Sequence, residues 1–153
     1  MDAVIINPFI VATKNVLSTM AFIDSKPGKP FVKKDNAARG DVTGIIGITG
    51  DANGTIAVTF EELSILKIVS NMFGEEMTEL NNEIADAVGE LTNMISGQAR
   101  KELAEVGKVF EGAIPSVVMG KDHSIIHITN GPKVAIPFGT EAGNFTIEVC
   151  FDR

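Results

Sequence analysis

The chain has 153 residues, a length that suits one domain over 1–153 with a substantial core. Hydrophobic residues make up 44% and charged ones 22%, and the formal net charge is −7. That composition belongs to ordinary soluble globular proteins, and the acidic balance disfavours nucleic acid and anionic membrane surfaces as partners. The single cysteine, Cys150, excludes an internal disulfide and suits a reducing, cytoplasmic setting. No apolar run reaches the roughly 18 residues of a membrane span, and no basic region precedes the apolar N-terminal stretch as it would in a signal peptide.

Residues 3–22 read as a first helix, with Val4, Ile5, Phe9, Val16 and Met20 as its apolar positions. Pro8 interrupts the pattern, either as the first helical residue after an Asn7 cap or inside an early turn. Residues 24–30 are a loop by composition, and 31–33 a short edge strand. Residues 42–49 and 55–60 form a hairpin across the turn 50–54, with Ile56, Val58 and Phe60 alternating against Thr55, Ala57 and Thr59. Gly44, Gly47 and Gly50 are spaced G-x-x-G-x-x-G, which matches no phosphate-binding loop. They are strand glycines at bulges or close backbone approaches. A second helix spans 61–73, with Leu63, Leu66, Ile68, Val69 and Met72 mostly inward and Gly74 as its stop.

The third helix dominates the chain. From Glu83 to Val106 it is roughly 36 Å long at about 1.5 Å per residue. Its apolar stripe of Ile84, Val88, Leu91, Ile95, Ala99 and Val106 is narrow and centred near Ile95. Opposite the stripe fall Asp86, Glu90, Asn93 and Gly97, one exposed ridge. Glu90 and Asn93, three apart, are neighbours that can reach one external group. Gly97 costs the helix roughly 1 kcal/mol relative to alanine, and its bareness lets another surface approach Asn93. After Gly107 the period changes to two, giving strands at 116–119, 124–129, 133–138 and 144–151, with turns at 120–123, 130–132 and 139–143. In the last strand Phe145, Ile147, Val149 and Phe151 share one face, with Thr146, Glu148 and Cys150 on the other. Residues 54–60 resemble 144–151, which suggests two related helix-plus-hairpin units. The sum is an α+β fold, a largely antiparallel sheet with long helices packed on one face.

The run Glu90-Leu-Thr-Asn93, followed by Met94-Ile-Ser-Gly97, resembles the E-x-x-N helix of the CheC/CheX/FliY phosphatases. The opening MDAVIINPFI, the stretch GIIGITG at 44–50 and IPSVVMG at 114–120 are similar to the CheX branch in particular. The resemblance implies a phosphatase acting on the aspartyl phosphate of a CheY-type response regulator. Asn93 would position the attacking water and Glu90 would anchor the regulator's active-site lysine, with Asp86 and Gly97 at the partner-facing surface. It implies no cofactor of the chain's own, Mg²⁺ residing in the regulator's acidic pocket. It also implies a homodimer formed through the sheet, for which the patterned strand 144–151 offers a pairing edge. One site per chain is expected, because Asn15 on the first helix has no glutamate three residues before it. The rival reading is a non-catalytic module that binds a response regulator or serves a flagellar-switch-like role. A third, a scaffold acting only by dimerising, leaves the bare Gly97 unexplained. Other chemistries are thin: His123 and His127 have no Cys or carboxylate at ligand spacing in the sequence, and Cys150 has no local helix start or basic cluster to activate it. Met72, Met77, Met94 and Met119 read as core filler.

Overall fold

The computed structural model describes residues 3–38, 40–121, 123–127 and 131–152. Helix α1 (Ala3–Ala21) opens the chain, followed by the short strands β1 (Lys26–Pro27) and β2 (Phe31–Lys33). The hairpin β3 (Val42–Gly50) and β4 (Gly54–Phe60) leads into α2 (Glu62–Phe73) and α3 (Asn82–Glu105). Strands β5 (Phe110–Gly112), β6 (Ser116–Met119), β7 (Lys133–Thr140) and β8 (Gly143–Phe151) complete it. Helix α1 runs straight through Pro8, whose ring is buried. It therefore starts earlier than either an Asn7 cap or an early turn would allow. It is also long and apolar enough to cross a membrane by length and composition, but Phe9, Ala12, Val16 and Leu17 are buried in the core, as in the core helix of a globular fold.

Every strand pairing is antiparallel, in the order β1-β7-β8-β4-β3-β5, with β2 also on β7 and β6 also on β3. The two hairpins meet at their second strands: Gly54 pairs with Phe151 and Phe60 with Phe145. The sequence likeness between 54–60 and 144–151 is thus a likeness between strands that lie side by side, head to tail, at the sheet's centre. Strand β8 is consequently no edge. It is hydrogen-bonded on both sides, by β4 and β7, so the expectation that it pairs with a second copy is overturned; the edges belong to β1 and β2 on one side and β5 and β6 on the other.

Alternation divides the sheet into two faces. Ile46, Ile56, Val58, Ile136, Ile147 and Val149 point into the main core with Phe9, Leu91 and Ile95. Aromatic rings extend it, Phe138 stacking on Phe145 at 5.0 Å and Phe151 touching Phe9 and Phe110 at 6.4 and 5.5 Å. The reverse face is covered too. Ala38, Ala57 and Ile125 form a small second core, and a buried polar cluster lies near it. Glu148 accepts from Lys33 Nζ at 2.6 Å and His127 Nε2 at 3.0 Å, and Thr43 shares hydrogen bonds with Thr59 and His123.

This cover replaces the strand expected at 124–129. Ser124 makes an isolated bridge to Ala37, and 125–127 carry no ladder; residues 128 and 129 lie outside the described residues, as do Asp122 and Asn130 of the neighbouring turns. Ile125 is buried and Ile126 is 80% exposed, so the alternation is real, but it comes from lying flat on the sheet rather than from joining it. Several apolar assignments also fail. Val4 and Met20 of α1 are exposed, as are Leu63 at the start of α2 and Met119 at the end of β6, which is not core filler, and Val106 caps α3 in solvent instead of continuing its stripe. The turn expected over 139–143 narrows to Glu141 and Ala142, because β7 and β8 pair as far as Thr140 and Gly143.

Candidate functional site

Both ends of α3 are fixed by local chemistry. Asn81 caps the N-terminus, its side chain accepting from the Ile84 N–H at 3.1 Å. At the other end Gly107 takes φ 84°; its N–H reaches Ala104 O at 3.1 Å and Lys108 N–H reaches Leu103 O at 3.0 Å. These are the two bonds of a Schellman termination. Between the caps, Ile84, Val88, Leu91, Ile95, Ala99 and Leu103 are buried against the sheet and α1.

Small residues let the helix sit close. A Cβ built on Gly44 of β3 would fall 2.0 Å from Thr92 Oγ1 and 3.1 Å from Val88 Cγ1. Gly44 is therefore one of the close approaches expected of the strand glycines. Thr92 is fully buried, and its hydroxyl donates to the Val88 carbonyl at 2.7 Å, so no polar group is stranded under the helix.

The opposite face carries the ridge drawn from spacing. Asp86, Glu90 and Asn93 are exposed and Gly97 is half-buried. Glu90 and Asn93 form no hydrogen bond or ion pair with any described residue, leaving both available to another molecule. At Gly97 an added Cβ would meet only Arg100 Nη2, at 3.9 Å; the spot is bare. Residues 112–117 run along one flank of the helix. Gly112 lies under the Arg100 guanidinium, and Pro115 and Val117 face Gly89. Ile114 between them is 89% exposed. Arg100 joins the ridge in space although its spacing alone did not single it out; the available signal was its position three residues beyond Gly97.

The remaining candidates lie elsewhere. His123 and His127 belong to the reverse face, where His123 shares a hydrogen bond with Thr43 and His127 meets the Glu148 carboxylate of β8. Burial pushes the Glu148 carboxyl up, but the hydrogen bonds from His127 and Lys33, with their charge, outweigh it and hold the group below the usual carboxylate range. A cavity of about 150 Å³ lined in part by Phe31, Lys33, Thr146 and Glu148 lies on that same reverse side. Cys150 is buried. Among the described residues no group of three His, Cys, Asp or Glu side chains gathers to hold a metal. Glu90 and Asn93 thus offer a carboxylate and an amide on a convex surface, able to act on a group that a second macromolecule brings to them.

An antiparallel sheet backed by long helices, the longest presenting an exposed E-x-x-N ridge, defines an α+β protein of the CheC-like fold. The chain belongs to the chemotaxis phosphatase CheX family, whose profile matches residues 42–139. It is 33% identical over 126 residues to the CheY-P phosphatase CheX of Thermotoga maritima, covering 82% of this chain and 81% of that protein. The crystal structure of the chemotaxis protein CheX from Desulfovibrio desulfuricans superposes with a TM-score of 0.90 at 52% identity, over 97% of this chain and 99% of that one. The CheX of a Borrelia burgdorferi CheX–CheY–BeF3–Mg²⁺ complex shares the fold, with a TM-score of 0.82 at 24% identity and 97% of each chain covered.

Proposed function

We propose that this chain, as one CheX-like domain over 1–153, hydrolyses the aspartyl phosphate of a CheY-type response regulator. The observation that carries the reading is the pairing of Glu90 and Asn93. They stand one turn apart on the exposed side of a helix capped at both ends, with no partner among the described residues. The name of the Thermotoga maritima relative supports the reaction, and the Borrelia burgdorferi complex supports the partner and the presence of Mg²⁺ in the docked assembly.

The chemistry follows from what the ridge provides. Phosphoryl transfer passes through a loose transition state, so the attacking water needs placement in line more than it needs a strong base. The Asn93 carboxamide offers an acceptor and two donors, and it adds no negative charge near the phosphoryl oxygens. Glu90 pairs with the regulator's lysine by a charge-assisted hydrogen bond and fixes the register of docking. Asp86 borders the contact, and Gly97 lets the partner's surface come close. The Mg²⁺ sits in the regulator's acidic pocket, and the chain needs no cofactor of its own. A cytoplasmic homodimer that leaves α3 uncovered completes the reading. Its contact falls to an outer edge of the sheet rather than to β8.

The test is the decay of a phosphorylated CheY-type regulator with the chain at substoichiometric amounts. Accelerated decay with turnover supports the phosphatase. Tight binding of the regulator without accelerated decay would establish the non-catalytic module instead.

A further inference from the structure

The exposed side of α3 is acidic in its first half, where Glu83, Asp86 and Glu90 stand and no basic residue precedes Arg100; beyond the bare Gly97 its charges are mixed, Arg100 and Lys101 being followed by Glu102 and Glu105. Lys101 is exposed, whereas the Arg100 side chain is held in place. Its Nε donates to Ser96 Oγ at 3.1 Å, and its plane lies on the Gly112 backbone, where an added Cβ would be 2.9 Å from Nη2, 3.0 Å from Cζ and 3.1 Å from Nε. Both supports are neutral, and among the described residues no carboxylate comes within ion-pair distance of the guanidinium. The Nη edge is turned toward Gly97, one turn beyond Asn93 on the same ridge. A guanidinium fixed by its Nε and its face, with its outer edge open, is prepared for bidentate pairing with a carboxylate.

We propose that Arg100 is a specificity-determining residue of this ridge, pairing with an acidic side chain on the rim of the docked response regulator. The inference rests on the phosphatase reading and extends it. Glu90 meets a cation of the partner and Arg100 an anion about 15 Å further along the helix axis, at ~1.5 Å per residue. Two opposite charges at a fixed separation admit one docking register and oppose the reversed one.

The experiment compares wild type, Arg100→Gln and Gly112→Ala in steady-state dephosphorylation of a phosphorylated CheY-type regulator, at low and high salt. Sedimentation of each protein accompanies the kinetics. Arg100→Gln removes the charge; Gly112→Ala keeps it but displaces the guanidinium from its seat. For an exposed pair, both variants should raise KM about two- to fivefold at low salt while kcat changes much less, and the difference should shrink at high salt. An unchanged KM in both variants, with wild type active, overturns the inference and leaves the phosphatase reading standing. A fall in kcat instead of a rise in KM overturns it too, because the guanidinium would then be touching the phosphoryl group. A change in assembly state without a KM effect assigns Arg100 to a subunit contact and rejects the proposal. Inactive wild type rejects both readings together.

Discussion

Thr92 of α3 stands directly over Gly44 of β3, so close that a Cβ on Gly44 would lie 2.0 Å from its hydroxyl oxygen. Thr92 is adjacent to Asn93, so this contact sets the height at which the ridge is presented. Gly44→Ala must either lift the helix or push Thr92 and Val88 aside, and overpacking of this kind costs about 1–3 kcal/mol. The expected outcome is a lower melting temperature together with reduced turnover. Gly44→Ala combined with Thr92→Ala should recover part of the stability, a coupling that a double-mutant cycle measures. Strict additivity of the two changes would show that the contact does not seat the helix.

Gly97→Leu tests the bare surface. Nothing closer than Arg100 Nη2 at 3.9 Å awaits an added Cβ there, and leucine is the better helix former by close to 1 kcal/mol. The variant should therefore melt no lower than wild type and yet bind the regulator much more weakly. Normal KM in Gly97→Leu would place docking on another surface.

Glu90 and Asn93 should fail in different ways. Asn93→Ala removes a contact needed mainly in the transition state, so turnover should fall about 10²–10³-fold while binding of a phosphoryl-mimic complex survives. Glu90→Ala should weaken that binding as well, since it removes a charge-assisted bond to the partner. Both side chains face solvent, so melting temperatures should hardly move. Near-normal single-turnover rates in Asn93→Ala would remove the amide from the mechanism.

On the reverse face, Glu148 makes stability depend on pH. Its carboxyl in the folded chain is held below the ordinary value. The stabilisation is therefore complete above the unfolded carboxyl pKa of about 4.3 and is lost as pH falls through the lower folded value. Glu148→Gln leaves the buried Lys33 and His127 without their carboxylate. It should cost on the order of 3 kcal/mol at neutral pH and flatten the acid limb of a melting-temperature profile. An acid limb unchanged from wild type would mean that other carboxylates carry it.

How far the sequence discloses this molecule depends on what each side chain touches. Helix α3 was legible because one face is packed and the other is free, so spacing alone separates Leu91 and Ile95 from Glu90 and Asn93. The hairpins were legible from period two and their glycine turns. Ile125 and Ile126 misled, since alternating burial reports two environments and says nothing of a hydrogen-bonded neighbour. The Lys33–Glu148–His127 cluster was invisible for a different reason. Its members are distant in sequence and come together only when β2, β8 and the 123–127 cover meet on the back of the sheet. Strand β5 is too short to show a period, and Arg100 becomes notable only once Gly112 is found beneath it.

The central pairing of β4 with β8 has a consequence for how the molecule is made. Gly54 is joined to Phe151 and Phe60 to Phe145, so the seam in the middle of the sheet closes only once β8 has been made, long after β4. Until then β4 presents an unpaired apolar border, the kind of surface on which nascent chains stick to one another. Pairing at such long range also makes folding slow. Loss of β8 would strike the centre of the sheet rather than fray its rim, because Phe151 also packs on Phe9 of the first helix. The helix that carries the ridge is complete long before the seam, yet the sheet it rests on closes only with β8.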